Sequence, residues 1–581
     1  MKNLQHPLFP LYLFLLLLGI IIPGQSTAQS DAVTIVIDAS DLLDEIPSGH
    51  RIIDASQLEV PWLFNNTGLL MTTRSNYLKR VEIPVTGTYY LYARSHGRPG
   101  STIRVAIGEQ VIPDDLGNDS LRYVQAGTFE LAAGTVNLRV MRIENNPILD
   151  VLVLSQDPEF TLDDLKAREL DEEVTLLREY RIPPSSCVKF GDLTGDGQTD
   201  LLVLSRDYSA QAFDFSGQAL WSYTAPEKGE EKRRSFEAPG LVWDLDQDGD
   251  SEVIHWRQDD EGEWLTVADG RTGAIIRRCP WPTEAYPHEY NNFRLAIGRL
   301  TPGYPRHILA FTDMGGKISV TAYDPELREV WQHVENKKKD HLGHYLYPID
   351  LDQDGTDEVV VGTLVLDGDG TEIWNAFDLF FDHHDHADSY RFADLDQDGK
   401  LDMVSAHSEI GVFAYGAMSG KLKWQNVSEH AQQLEIGNFL QDVPGPQIAV
   451  GARTYGNRRF GIPYLWSQVH WFDPKGKLIR KWPANPLNGN PVFIKGDWRG
   501  DGKEALFWFK FRLLENGTGK LYFGEPVYHM FDFMGGPAEE VITLQRDLLR
   551  VYGYKNAPAP NGQRPKTPDY LQARVANHTH Y

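Results

Sequence analysis

Pro348–Gly362 reads PIDLDQDGTDEVVVG, and this stretch decides the fold. Asp350, Asp352 and Asp354 alternate, Gly355 allows a sharp turn, and Glu358 opens a short apolar run of the kind that forms a buried strand. The same pattern recurs as FGDLTGDGQTDLLVL from Phe190, VWDLDQDGDSEVIHW from Val242 and FADLDQDGKLDMVSA from Phe392. Weaker copies are IGRLTPGYPRHILAF from Ile297, IGNFLQDVPGPQIAV from Ile436 and IKGDWRGDGKEALFW from Ile494. Their aligned positions are Asp192, Asp244, Arg299, Asp350, Asp394, Asn438 and Asp497, separated by 44 to 59 residues. Each interval suits one four-stranded blade, and Gly-containing hairpin signals follow most copies, so the repeats predict a seven-bladed β-propeller.

Four of the loops carry metal-binding chemistry. Calcium takes six to eight oxygens at about 2.3–2.6 Å, and alternating carboxylates around a glycine supply most of them. The expected ligand sets are Asp350, Asp352, Asp354 and Glu358; Asp244, Asp246, Asp248 and Glu252; Asp394, Asp396, Asp398 and Asp402; and Asp192, Thr194, Asp196 and Asp200. Structural calcium ions are therefore the expected cofactors. The other three copies have lost several of these ligands.

Outward from the repeats, the chain divides into four parts. Residues 1–28 read as a signal peptide: Lys2, an apolar run from Leu8 to Ile22, then Ser26-Thr27-Ala28 for cleavage. No later stretch offers the ~18 apolar residues of a membrane span, so the expected product is a secreted or periplasmic monomer. Residues 31–158 alternate in strand fashion, as in VEIPVTGTYYLYARSHG, and predict a jelly-roll-like β-sandwich that could bind carbohydrate. Tyr89, Tyr90 and Tyr92 are candidate sugar platforms there, or else split between core and surface. Residues 159–180 read as a linker with a charged helical segment, and 181–581 as the propeller. The formal net charge of -26 argues against a nucleic-acid partner. Cys187 and Cys279 exclude a disulfide scaffold, although the two could form one bridge.

Seven of the 18 histidines fall between His341 and His430. His344 stands six residues before Asp350, and His386 stands eight before Asp394, so both lead into first strands from the same end. His430 stands eight before Asn438 and is placed like His386. Propellers bind and react near the channel mouth where these strands converge.

The stretch HYLYPIDLDQDGTDEVVVGTLVLDGDGTEIW, followed by HADSYRFADLD, resembles the paired-histidine signature of propeller polysaccharide lyases of the rhamnogalacturonan and ulvan lyase type, with FG-GAP-like calcium repeats. That resemblance implies β-elimination on a uronic-acid-containing polysaccharide, with His344, His386 and Asp388 matching the motif. The DSYRF that follows His386 and the crowded DHHDHAD run, with His384, depart from the rhamnogalacturonan lyase form. Elimination needs a base for the C5 proton, an acid for the leaving oxygen and a cation beside the substrate carboxylate. The sixth repeat supplies candidates in RTYGNRRFGIPYLWSQVHW: Arg453, Arg458 and Arg459 for the carboxylate, Tyr455 or Tyr464 as acid, and Trp466 to stack on a sugar. Two rival readings are a non-catalytic calcium-binding propeller that holds glycan or protein at the cell surface, and a hydrolase on the same fold.

Overall fold

The computed structural model describes residues 32–557 apart from connecting segments, the longer ones being 43–50, 55–66, 162–173, 227–237, 283–291, 336–342, 377–385, 455–465 and 484–492. The described residues are all-β, with one short 3-10 turn at Ala39–Leu42 and no α-helix. The leader and the charged segment expected to be helical lie outside the described residues. No described helix is long and apolar enough to cross a membrane.

Two N-terminal sheets share one apolar core. The larger has six strands, with Ile148–Ser155 flanked by Gly87–His96 on one side and by Thr34–Asp38 and Thr67–Leu70 on the other. The smaller runs Asn76–Ile83, Gly134–Glu144, Thr102–Ile107, Gln110–Val111. Alternate residues from both sheets, including Leu91, Leu152, Val105 and Val140, meet in the core. Tyr89 and Tyr92 are buried, and their hydroxyls donate to the carbonyls of Val85 and Pro158, so neither is a sugar platform.

Among the described residues, eight four-stranded antiparallel sheets follow, where the repeats predict seven. Numbered in chain order, their first strands are Cys187–Gly191, Gly240–Trp243, Asn292–Gly298, Tyr347–Ile349, Ala387–Ala393, His430–Gly437, Phe493–Gly496 and Val527–Phe531. The eighth sheet takes its fourth strand, Val174–Arg181, from the stretch expected to be linker. Its sequence signal was split between two ends of the repeat region. Its turn, DFMGGPAEE, also lacks the alternating acids, although Asp532 and Glu540 keep the spacing of eight found between Asp350 and Glu358.

First strands of successive sheets touch one another in chain order. The eighth also touches the first: the Tyr528 hydroxyl lies 2.8 Å from the Val188 amide, and the Phe190 and Phe531 rings are 5.1 Å apart. A tryptophan in the fourth strand of several sheets locks onto the next sheet. The indole N–H groups of Trp221, Trp331, Trp374 and Trp424 donate to the carbonyls of Gly270, Gly368, Ala417 and Pro474, at 2.7 to 2.9 Å. Second strands such as Asp402–His407 are buried along their whole length because both faces are covered, whereas the outer Glu329–Glu335 is exposed at alternate positions.

Cys187 is buried in the first sheet and Cys279 lies in the second sheet's outer strand, and no disulfide joins them.

Candidate functional site

The acidic loops form one recurring unit. The carboxylates of Asp192, Asp244, Asp350 and Asp394 each accept from the amide of a glycine five residues on, namely Gly197, Gly249, Gly355 and Gly399. The acid eight residues on caps the strand end: Asp200, Glu252, Glu358 and Asp402 accept from the amides of Leu193, Leu245, Leu351 and Leu395. Gln247, Gln353 and Gln397 share a left-handed backbone, with φ of 66, 65 and 62°. Burial, reinforced by neighbouring carboxylates, pushes Asp200, Glu252 and Glu358 up to about 7. Concentrated, partly desolvated acids of this kind are what a hard cation compensates. Ligand oxygens of Asp244, Asp246 and Asp248 lie within 4.8 Å of one another, and so do those of Asp350, Asp352 and Glu358, and of Asp394, Asp396 and Asp398.

Two loops also contain basic groups. Lys423 Nζ lies 2.7 Å from Asp396 and 2.6 Å from Asp402, an ammonium within the fifth sheet's loop. Arg299, which stands where the third copy lost its aspartate, reaches Asp350 Oδ2 of the fourth sheet at 3.1 Å.

The histidines meet at the junction of the fourth and fifth sheets. Gly343 makes a parallel bridge to Ala387, and a Cβ on Gly343 would come within 3.1 Å of the Ala387 carbonyl and 3.0 Å of Gly362 Cα. This close approach of backbones sets His344 beside His386, with ring centroids 4.5 Å apart and planes at 85°. Asp388 Oδ1 sits 3.3 Å from His344 Nε2 and 3.2 Å from His386 Nε2. The Gln432 amide nitrogen donates to the other oxygen, Oδ2, at 2.6 Å. Asp388 is 1% exposed, whereas His344 and His386 are 16% and 21% exposed, so the carboxylate lies behind two accessible imidazoles.

Electrostatics divide the roles. Burial pulls the Asp388 carboxyl upward, but His386 and His344 outweigh it and hold the group well below the usual carboxylate range. Burial lowers His344, and the charges of His386 and Arg294 add to this, while Asp388 partly opposes it. His344 is thus neutral at pH 7, as a proton acceptor must be. His407, wholly buried opposite Ala387, is pushed by burial down to about 3, and Ser405 Oγ meets its Nε2 at 2.9 Å. It packs behind His386 as a neutral imidazole.

The trio also has the chemistry of a metal site, since its three ligand atoms lie within 4.8 Å of one another. A tetrahedral centre with bonds of about 2.0–2.1 Å holds its ligand atoms about 3.3 Å apart, close to the separations at Asp388.

Other residues singled out in the sequence fall as follows. Arg453 lies in the sixth sheet's second strand with its backbone opposite His430, at the end where first strands begin, and Trp466 starts the adjoining strand. His384, Tyr455, Arg458, Arg459 and Tyr464 lie outside the described residues. Gln432, Arg391 and Glu435 were not anticipated. Arg391 Nη2 pairs with Glu435 Oε1 at 2.7 Å, and its Nη1 donates to the Tyr345 hydroxyl at 3.2 Å.

The fold and site thus define an all-β chain of repeated four-stranded sheets with a His-His-Asp cluster shared between two of them. The chain is 24% identical over 434 residues to the rhamnogalacturonan endolyase YesW of Bacillus subtilis (strain 168), covering 62% of this chain and 66% of the endolyase. It is 23% identical over 443 residues to the rhamnogalacturonan exolyase YesX of the same organism, covering 62% and 70%. The match therefore spans just under two thirds of the endolyase. Both relatives are polysaccharide lyases. No family model matches the chain. In three dimensions it superposes on a Bacillus licheniformis rhamnogalacturonan lyase with a TM-score of 0.52 at 15% identity, covering 85% of this chain and 95% of that one. The exotype lyase YesX gives 0.51 at 16% identity, with 78% and 85% covered. At these identities the likeness shows a common fold.

Proposed function

We propose that this chain is an exported polysaccharide lyase that cleaves an acidic, rhamnogalacturonan-like polysaccharide by β-elimination. The observation that carries the reading is the convergence of His344 and His386 on the buried Asp388. Both relatives named above act on rhamnogalacturonan, which favours that substrate over an ulvan-like one. The eight sheets are read as blades of one propeller, because their first strands touch in cyclic order, and the two N-terminal sheets as a β-sandwich. The acidic loops are read as structural calcium sites between strands.

In this mechanism the substrate uronate lies across the two imidazoles. His344, neutral at pH 7, takes the C5 proton as the C4–O bond breaks, and the leaving oxygen takes a proton from Tyr455, Tyr464 or water, so that a C4–C5 double bond remains on one fragment and a free sugar hydroxyl on the other. Asp388 orients both rings and stabilises the cation that forms on protonation. Such a positioned base contributes typically ~10²–10⁴-fold. Arg453 is assigned to the substrate carboxylate, since its strand position brings its backbone opposite His430 at the same sheet end.

A second reading is favoured by the mutual distances within the trio. A divalent cation held by His344, His386 and Asp388 would neutralise the uronate carboxylate, and the base would lie elsewhere. The test incubates purified protein with rhamnogalacturonan and follows the ultraviolet absorbance of the unsaturated uronate product. Turnover is expected, together with its loss in His386→Ala. Reducing ends without that absorbance would indicate hydrolysis, and neither signal would indicate a binding module. Metal content separates the two lyase readings: His386→Ala loses a bound ion in the second and not in the first.

A further inference from the structure

The third sheet departs from its neighbours at both ends of its junction with the fourth. At the loop end its aspartate is replaced by Arg299, whose amide donates to Asp357 Oδ2 at 2.8 Å and whose guanidinium reaches Asp350. At the outer end, a histidine and two glutamates from the two sheets converge. His333 and Glu335 stand two apart on the outer strand Glu329–Glu335, so both side chains leave the same face. Glu372 begins the outer strand of the fourth sheet, Glu372–Asn375. His333 Nε2 lies 3.3 Å from Glu335 Oε1, and one ligand atom from each of the three residues lies within 4.8 Å of the others.

Two features fix this arrangement. Trp331, two residues before His333, donates its indole N–H to Gly368 O at 2.9 Å, clamping the outer strand onto the turn that leads into Glu372. His333 and Glu335 are themselves largely covered, at 18% and 13% exposed, so rotamer freedom is already reduced at two of the three positions. His333 Nε2 hydrogen-bonds Glu335 Oε1, but the two carboxylates repel each other when ionised, and a divalent cation would reverse the sign of that interaction.

We propose that His333, Glu335 and Glu372 bind a divalent first-row transition ion, of which zinc is the representative, stapling the outer edges of the third and fourth sheets. One imidazole and two carboxylates suit a borderline-soft ion with bonds of about 2.0–2.2 Å better than calcium, which takes oxygens only. Three protein ligands leave a fourth position for water. The site lies on the outer strands of the two sheets, whereas His344 and His386 stand just before their first strands, and it is independent of the lyase reading.

The test uses the full chain saturated with calcium, carrying His344→Ala and His386→Ala so that the inner cluster cannot bind zinc. Zinc is titrated by calorimetry, with bound metal counted after dialysis. One zinc per chain is expected, with a rise in Tm, and both effects should vanish on adding Glu372→Gln. A second triple variant, with His333→Ala instead, should behave alike, and circular dichroism checks that each folds. Should Glu372→Gln fail to fold, the His333→Ala chain decides. No zinc bound in the double variant, or zinc retained after either further substitution, overturns the proposal.

Discussion

Asp388→Asn is the perturbation that most directly tests the site. The carboxylate receives His344 and His386 on one oxygen and Gln432 on the other, and it is 1% exposed. An amide of the same shape keeps one acceptor but turns the second oxygen into a donor. If that donor faces Gln432, the Gln432 amide can rotate and offer its own oxygen, so the contact is rebuilt. An unsatisfied buried group would cost about 1–3 kcal/mol, and this rotation avoids most of it. Tm should therefore fall by no more than about 5 °C. The charge is not rebuilt. Neither imidazole then has a carboxylate to orient it or to stabilise its protonated form, and a mispositioned base costs ~10²–10⁴-fold in kcat. At 1.36 kcal/mol per tenfold, that is about 2.7–5.4 kcal/mol of transition-state stabilisation.

The pH profile adds a sign. In the wild type, burial and His386 lower His344 while Asp388 opposes them. Neutral His344 is the active form, so the acid limb of kcat/KM lies below the ordinary histidine value of about 6.5. Removing the negative charge takes away the opposing influence, and the limb moves to still lower pH. Asp388 does not titrate in this window. Its folded pKa is depressed, so its contribution to stability is complete above about 3.9 and is lost only as pH falls through the folded value. The assay is initial-rate formation of unsaturated uronate across pH 5 to 9. Activity within threefold of wild type, or a limb that moves to higher pH, refutes the assignment of Asp388.

Two further predictions concern stability. Chelation should lower Tm if the four acidic loops bind calcium, because a ligand bound only by the folded state adds stability that its removal withdraws; restoring calcium should restore the melt, and an unchanged melt counts against calcium. Gly370→Ala should destabilise the fourth sheet by about 1–3 kcal/mol, because φ there is +84° and an added Cβ would come within 2.6 Å of the Trp331 ring; a denaturant midpoint equal to wild type would show that the indole can yield.

The sequence disclosed the repeat more readily than its ends. Alternating aspartates before apolar runs marked the first, second, fourth and fifth sheets, because the loop chemistry that ends those first strands is written in side chains. The eighth copy escaped because its loop keeps only Asp532 and Glu540, whose carboxylates still accept from the amides of Gly535, Gly536, Phe533 and Met534. Its missing strand, Val174–Arg181, is separated from its neighbour Leu548–Tyr554 by most of the chain, a pairing no local pattern announces. The interlocking tryptophans were present in REVWQ and TEIWN, but a tryptophan after a hairpin reads first as an ordinary strand residue. His344, His386 and Asp388 were legible, because histidines crowd this part of the chain and all three stand six to eight residues before a loop aspartate.

Gln432 was equally accessible, had the copies been read as columns. His344 stands six residues before Asp350, Asp388 six before Asp394, and Gln432 six before Asn438. These equivalent positions on three consecutive sheets form one continuous contact, His344 to Asp388 at 3.3 Å and Asp388 to Gln432 at 2.6 Å. Three residues before the same aligned positions stand Arg391 and Glu435, which pair at 2.7 Å. The lateral contacts follow from the repeat itself. Each loop fixes where its first strand ends, so residues at equal distance from the loops lie at equal depth and meet across sheet boundaries. A substitution at one such position therefore acts on its neighbours in the column before it acts on its own strand. The acidic loops thereby take part in the site, because they set the register by which His344, Asp388 and Gln432 come to the same level. Loosening the Asp350 or Asp394 loop should accordingly disturb the histidine pair, although neither loop contains a residue that touches it.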